Sequence, residues 1–387
     1  MEGKSNKFAH RKKGMSSSRP HTTVDTPARQ AWRKFRKNPL AMAGTVIIIL
    51  VTLVSLLGHS IRPDKTINAN NQNLLLSRQK PGFTVQTIRV QEDVPQRSFL
   101  YNWIQGGRPN DYREIAVESF HIVGASAIVT LYSPNQTAEQ QTFALSQLKR
   151  DNSYSITADK YVFEKRFILG TDKYGRDMLS RLMAGTVISL SVGAIAVIIS
   201  LLVGLTLGLL AGYFRGWIDN VIMWFTNVIW AIPTLILVMA ITFAFGTGFW
   251  KVFLAVGLTM WVEVARIARG QVMSIREKEY IEAARALGFS ETRIIFKHIL
   301  PNILSPIIVI SAANFASAIL MEAGLSFLGL GAQIPTPSWG NMIREHYAYI
   351  TTDLAYLAII PGLLIMLLVL SFMMVGNGLR DALDVRD

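Results

Sequence analysis

No cysteine occurs anywhere in the 387 residues. Disulfide cross-links, thiolate metal sites and cysteine nucleophiles are therefore excluded, while the redox compartment stays open. Histidine is scarce too: the six present are scattered singly. Charge is thin, with 17% of residues Asp, Glu, Lys or Arg. No phosphate-cradling loop ending in Lys-Ser/Thr, metal cluster or Ser/His/Asp arrangement can be assembled. A membrane-embedded enzyme would need ionisable residues around one cavity, and the apolar segments offer almost none.

What is abundant is apolar surface. Half the residues are hydrophobic and the mean hydropathy is +0.31, more than a water-exposed surface usually carries, so a bilayer is the natural solvent. The net charge of +13 does not point to nucleic acid, because it is concentrated at one end. Eleven Lys or Arg precede Asn38, opposed only by Glu2 and Asp25, the pattern of a cytoplasmic tail (1–38) beside an anionic membrane face. The first apolar run begins only at Leu40 with no small-residue cleavage site close behind it, so a signal peptide is not expected.

A spanning helix needs about 20 apolar residues. Leu40–Gly58 supplies the first span (39–59), and the basic stretch Arg33-Lys34-Phe35-Arg36-Lys37 before it holds the N-terminus inside. Further spans are expected at Leu182–Gly212, Val221–Phe245, around Val252–Val262, at Leu300–Met321 and at Leu354–Leu379, six in all, with both termini cytoplasmic. Ser200, Gly204, Gly208 and Gly212 recur every four residues, a row that admits a neighbouring helix closely. Pro233 is expected as a tolerated kink. Glu263 interrupts the fourth span and sits either near the cytoplasmic edge or shielded within the bundle.

Residues 60–166 are polar and mixed, forming an extracytoplasmic insert of mixed or mostly β character between the first two helices. Thr84–Val90 and Ile122–Tyr132 read as strands, the second bounded by Ser133-Pro134-Asn135. Asn135-Gln136-Thr137 spells a glycosylation acceptor too short to weigh. The fold class is thus an all-α polytopic membrane protein carrying a small insert, followed by a transmembrane domain over 167–387.

Between Arg266 and Pro301 (266–300) lies a polar stretch rich in Lys and Arg, on the side where the positive-inside rule places it. Ile275–Leu287 favours helix, Gly288 ends it, Ser290 caps a second helix through Arg293 to Ile299, and Pro301 suits the first turn of the fifth span. Composition alone leaves a solvated amphipathic hairpin equally open. The spelling goes further: Glu282-Ala283-Ala284, three residues, Gly288, nine residues, then His298-Ile299-Leu300-Pro301. This resembles the EAA loop of permease subunits of binding-protein-dependent ABC importers, with His298 standing where the family often has an aliphatic residue. Leu169-Gly170-Thr171-Asp172-Lys173-Tyr174-Gly175-Arg176-Asp177 is similar to the signature ahead of the second span in the dipeptide/oligopeptide (and nickel) permease group. Gly324-Leu325-Ser326-Phe327-Leu328-Gly329-Leu330-Gly331 resembles that group's outer pore loop. Ala31–Asn38 and Gly378–Asp384 resemble its C-type second membrane subunit. The resemblance covers 29–60 and 167–387.

It implies that Glu282 makes a polar contact with an ATPase subunit, that Ala283 and Ala284 allow close approach, that Gly288 permits the turn, and that Leu300 and Pro301 complete the coupling segment. The implied partners are a second, homologous permease subunit in a heterodimer, two ABC ATPase subunits and an external solute-binding protein delivering peptides. Membrane lipid surrounds the chain, nucleic acid has no part, and ATP and Mg belong to the ATPases. Nickel or another small solute is the alternative cargo, and a receptor or scaffold displaying the insert the alternative class. Asp172, Arg176 and Asp177 read more simply as ion pairs at the membrane interface than as substrate contacts.

Overall fold

The computed structural model describes residues 27–94, 98, 101–102, 107–133, 139–149, 161–246 and 249–383. The Asn135-Gln136-Thr137 triplet, most of the basic tail and Asp384 lie outside them. The chain opens with α1 (Pro27–Lys37) and α2 (Pro39–Ile61). Asn38 separates them because its side chain accepts from the Leu40 and Ala41 amides, both at 3.1 Å, while Pro39 occupies a position that needs no amide donor. Phe35 is buried against Gly378 near the far end of the chain, clamping α1 onto the last helix.

Five strands follow: β1 (Phe83–Gln91), β2 (Tyr112–Val123), β3 (Ser126–Leu131), β4 (Gln140–Ala144) and β5 (Val162–Phe167). They form one antiparallel sheet of order β4-β3-β2-β1-β5. β1 contains the expected Thr84–Val90. The expected single strand Ile122–Tyr132 is instead a hairpin: Val123 pairs with Ser126 and Gly124 turns the chain at φ +62°, a conformation glycine adopts without steric cost. Ile88, Val117 and Val129 fill one side of the sheet, and Val85, Ala116 and Phe167 close on Leu76 at the other. The insert's two ends meet, since the Gly82 amide donates to the Phe167 carbonyl at 2.9 Å.

After the sheet come helices α3 (Met178–Phe214), α4 (Gly216–Trp230), α5 (Thr234–Phe245), α6 (Phe249–Arg276), α7 (Glu279–Ala286), α8 (Glu291–Phe327), α9 (Trp339–His346) and α10 (Tyr356–Leu383). Among the described residues, α2, α3, α8 and α10 are each long and apolar enough to cross a membrane. The expected span Val221–Phe245 is not a kinked helix but a broken pair, α4 and α5, bent by 94°. Pro233 explains the break: it lacks an amide donor and drives the preceding Ile232 out of helical geometry. Counted as one span, the pair makes five. The six expected spans are reached only by adding α6, whose 28 residues include Lys251, Glu263, Arg266, Arg269 and Arg276.

The serine–glycine row on α3 does what its spacing predicts. A Cβ on Gly204 would lie 2.6 Å from the Val264 Cβ, one on Gly208 2.6 Å from the Ala268 Cβ, and one on Gly212 2.8 Å from the Val272 Cβ. Helices α3 and α6 therefore meet backbone to backbone over more than two turns.

Gly208→Leu is expected to destabilise the folded chain by about 1–3 kcal/mol or more, as overpacking does, read as a lowered unfolding midpoint in detergent. Replacing 83–166 by a short turn between Gly82 and Phe167 is expected to leave the helical part folded, measured by the same unfolding assay; loss of the helical transition would mean that the sheet is part of its core.

Candidate functional site

Two regions hold the residues singled out in the sequence. The first lies ahead of α3, where the chain folds back on itself between Gly170 and Asp177. Asp172 is fully buried: its Oδ1 accepts the Tyr174 and Arg176 amides at 2.8 and 3.0 Å, and its Oδ2 accepts Arg176 Nε at 2.6 Å. The buried guanidinium of Arg176 also donates to Glu345 at 2.9 Å and to Asn70 at 3.3 Å. Arg181 lies 3.7 Å from Asp172 and donates to the Pro335 carbonyl at 3.3 Å. Thr171 donates its hydroxyl to the Leu76 carbonyl and accepts the Gln79 amide. Gly175 passes so near Asn73 that a Cβ would fall 1.7 Å from its carbonyl oxygen.

Among the described residues, Asp177 forms no ion pair. It caps α3, accepting the amide and hydroxyl of Ser180, while the Ser180 hydroxyl accepts the Asp64 amide at 2.9 Å. Burial pushes the Asp177 carboxyl up from its usual value, and the Ser180 bonds oppose this. The signature is thus a structural knot of turn, cap and buried charges joining the end of α2, the edge of the insert, α3 and α9. Ligand atoms of Asp172, Glu345 and His346 lie within 4.8 Å of one another, a metal-like grouping. Both carboxylates already face guanidiniums, so a further cation would enter a compensated site.

The second region is the polar hairpin between α6 and α8. The expected helix Ile275–Leu287 is divided: Ile275 and Arg276 finish α6, Lys278 adopts extended geometry, and α7 starts at Glu279. Gly288, at φ +77°, ends α7. The Phe289 amide donates to the Ala284 carbonyl at 3.1 Å and the Gly288 amide to the Arg285 carbonyl at 3.0 Å, the paired bonds of a left-handed helix stop. Ser290 then accepts the Arg293 amide at 3.4 Å and starts α8.

The hairpin has two faces. Ile281 and Ala284 are buried in one apolar core with Leu209 and Tyr213 of α3, Val264, Ala268 and Val272 of α6, and Ile295, Ile299 and Ile303 of α8. Glu282, Ala283, Leu287 and Gly288 are exposed. The pair Ala283 and Ala284 is thereby split between the two faces: only Ala283 is presented outward, because consecutive helical residues point about 100° apart. Tyr213 donates its hydroxyl to Glu291 and accepts Arg285 Nη2 at 3.3 Å, and Arg276 covers its ring. Neither Tyr213 nor Glu291 was singled out in the sequence, where no spacing links residues so far apart. Nearby, Arg269 holds Asp219 through two bonds of 2.6 Å. These side chains fix the hairpin to the ends of α3, α4 and α6.

Leu300 and Pro301 do not start a new helix. They continue α8 through a π-helical turn, Ile294–Ile299. The wider turn relieves the clash a proline ring makes inside an α-helix, and Asn302 donates to the His298 carbonyl at 2.6 Å. His298 stacks on Phe289, which Arg293 covers from 4.1 Å.

At the other end of α8 the expected outer loop is shorter than the glycines suggested. Gly324, Ser326 and Phe327 are helical, and only at Leu328 and Gly329 does the chain leave the helix. Gly329, at φ +85°, repeats the stop found at Gly288, with Leu330 donating to Leu325 at 2.8 Å. Ser326 turns inward and donates to Glu322 at 2.5 Å. Glu322 is buried within an apolar helix and was not singled out in the sequence, although a lone carboxylate in a span is the signal that finds it.

Comparison with known proteins gives two family models. One, described as "Binding-protein-dependent transport system inner membrane component", matches residues 204–386. The other, "N-terminal TM domain of oligopeptide transport permease C", matches residues 26–81. The dipeptide transport system permease protein DppC of Alkalihalophilus pseudofirmus is 36% identical over 282 residues, covering 73% of this chain and 89% of that one. The glutathione transport system permease protein GsiD of Pectobacterium atrosepticum is 43% identical over 216 residues, covering 56% and 71%. An inward-facing structure of the MetNI methionine ABC transporter aligns at 20% identity with a TM-score of 0.45, covering 53% of this chain and 97% of that one.

Arg176→Gln strands Asp172 and Glu345 without their shared cation. It is expected to cost about 3–5 kcal/mol of stability, measured by denaturant unfolding in detergent, and Asp172→Asn in the same chain should recover part of that loss.

Proposed function

Since this chain belongs to the binding-protein-dependent transport permeases, components of transporters rather than catalytic enzymes, we propose that it is one membrane half of an ATP-driven peptide importer. Its relatives named for dipeptide and glutathione transport support the cargo class. In this reading α2, α3, the α4–α5 pair, α6, α8 and α10 make six spans. The termini and the α6–α8 hairpin face the cytoplasm, and the insert faces outward. A second, homologous permease subunit completes the pathway, a solute-binding protein delivers peptide from outside, and two ABC ATPases hold the ATP and Mg. This chain binds neither.

The observation that carries the reading is the two-faced hairpin. Helix α7 keeps Ile281 and Ala284 in a core shared with α3, α6 and α8. It presents Glu282, Ala283, Leu287 and the turn at Gly288 on the outside. Such a helix transmits force: a partner that grips the outer face cannot move it without moving three spans. ATP binding then drives transport only if the closed and open ATPase pairs hold the hairpin with different affinity. The buried knot from Gly170 to Asp177 works at the opposite end as a fixed point, positioning α3 and α9 without touching cargo.

Glu282→Lys alters only the outer face, and Gly288→Val strains the turn by about 1–2 kcal/mol, the cost of a left-handed L-residue. Both variants are expected to insert and fold but to lower peptide uptake and uptake-coupled ATP hydrolysis roughly tenfold, a loss of about 1.4 kcal/mol of coupling. Uptake at the unaltered rate in both would sink the assignment. Ala284→Leu should instead lower the unfolding midpoint of the isolated chain, and a midpoint unchanged would place Ala284 outside the core.

A further inference from the structure

The insert contains a cavity of about 660 Å3 that the transport machinery above leaves without a role. Among the described residues, five cations line it, Lys65, Arg89, Arg108, Lys149 and Lys165, against three carboxylates, Asp64, Asp111 and Glu114. The carboxylates are already committed. Glu114 receives Lys165, Arg89 at 3.3 Å and Asn71 at 3.3 Å. Asp111 receives Lys149 at 2.7 Å. Asp64 spends its oxygens on the chain beside it, accepting the Thr66 amide and hydroxyl at 2.9 and 2.6 Å and the Asn71 amide at 3.0 Å.

Among the described residues, Lys65 and Arg108 make no hydrogen bond to a carboxylate, although Arg108 faces Asp111 closely enough that its charge, after the Lys149 bond, helps to hold that carboxyl below its usual value. Their backbones are joined, the Arg108 amide donating to the Lys65 carbonyl at 3.0 Å. The contact is held by Gly107, where a Cβ would lie 2.7 Å from the Thr66 carbonyl oxygen and from the guanidinium of Arg62. Two cationic residues are thus joined through their backbones on the wall of a concave site, and each carboxylate among its described lining residues already accepts hydrogen bonds. The floor is rigid as well: Arg89 lies between the rings of Tyr112 and Phe163, at 4.7 and 4.0 Å. An apolar ligand would have little to gain from so charged a wall, whereas an anion would complete it.

We propose that this cavity binds a short peptide through its carboxylate, which Lys65 and Arg108 receive, the guanidinium in a two-pronged contact. The volume falls in the range of small-molecule sites, and the polar lining suits a solute rich in amides. The choice of a peptide rests on the permease reading; the anion preference rests on the excess of cations over carboxylates among the described lining residues. Such a site would hold cargo on the insert, outside the helices, before it reaches the pathway.

The test uses the purified full chain in lipid nanodiscs and calorimetric titration with a dipeptide, the same dipeptide amidated at its C-terminus, and inorganic phosphate. The free acid is expected to bind and the amide to bind at least about tenfold more weakly, the worth of one charge-assisted contact. Lys65→Gln with Arg108→Gln should abolish the difference while leaving the unfolding midpoint unchanged. Equal binding of acid and amide, or an unaltered double variant, would overturn the site. Binding of phosphate but not peptide would overturn the peptide and retain only an anion site. Peptide uptake by the assembled transporter tests the permease reading separately: uptake without peptide binding to this chain defeats the cavity, and binding without uptake defeats the importer.

Discussion

The close approach of α3 and α6 is the constraint from which the half of the molecule around the α6–α8 hairpin follows. At Gly204, Gly208 and Gly212 a methyl group would collide with α6, so contact along that line depends on the absence of side chains. Once the backbones meet, Leu209 and Tyr213 on α3 and Val264, Ala268 and Val272 on α6 lie around one core, and the hairpin closes over it through Ile281, Ala284 and the isoleucines of α8. Packing, rather than any water-driven attraction, has to hold such a seam in lipid. The polar bonds at its end, from Tyr213 to Glu291 and from Arg269 to Asp219, then give the hairpin its orientation.

The half beside the β-sheet is organised differently. There the chain buries charge: Asp172, Arg176 and Arg181 are almost wholly withdrawn from solvent. Such pairs are not strong sources of stability, because desolvation offsets attraction, but each partner is costly to lose. Their value is in specifying one arrangement. Asn70 and Leu76 before the sheet, Asp172 to Ser180 after it, and Glu345 on α9 meet so that Arg176 is shared between Asp172, Glu345 and Asn70. The same knot explains how a five-stranded insert can interrupt the first two long helices without disturbing them, since its strands leave and rejoin at the adjacent Gly82 and Phe167.

Local signals were legible in the sequence and distant ones were not. Long uncharged runs marked α2, α3, α8 and α10, the four-residue spacing of small residues marked the α3 seam, and Gly288 and Ser290 marked the two ends of the hairpin turn. Pro233 was visible, but whether proline bends or breaks a helix depends on what neighbours do with the freed carbonyls. Gly124 split a run that β-branched residues made look continuous. Ala283 and Ala284 read alike until a core existed for one of them to face. Tyr213, Glu322 and the cavity around Glu114 depend on contacts across the fold, which no periodicity records.

The π-helical turn before Pro301 has a further effect. In a regular α-helix each residue advances about 100°, so steps of four overshoot a full circle by about 40°, and a row of side chains at such steps spirals away from its neighbours. Ile295, Ile299, Ile303 and Ile307 stand at steps of four, and all are buried in the same core. Within the wider turn each residue advances less, which removes part of the overshoot at the first step and keeps the row in phase with α3 and α6. The turn therefore acts as a gear correction between the hairpin and the long helix above it. It lets one line of isoleucines run from the hairpin into the long helix as a single toothed edge.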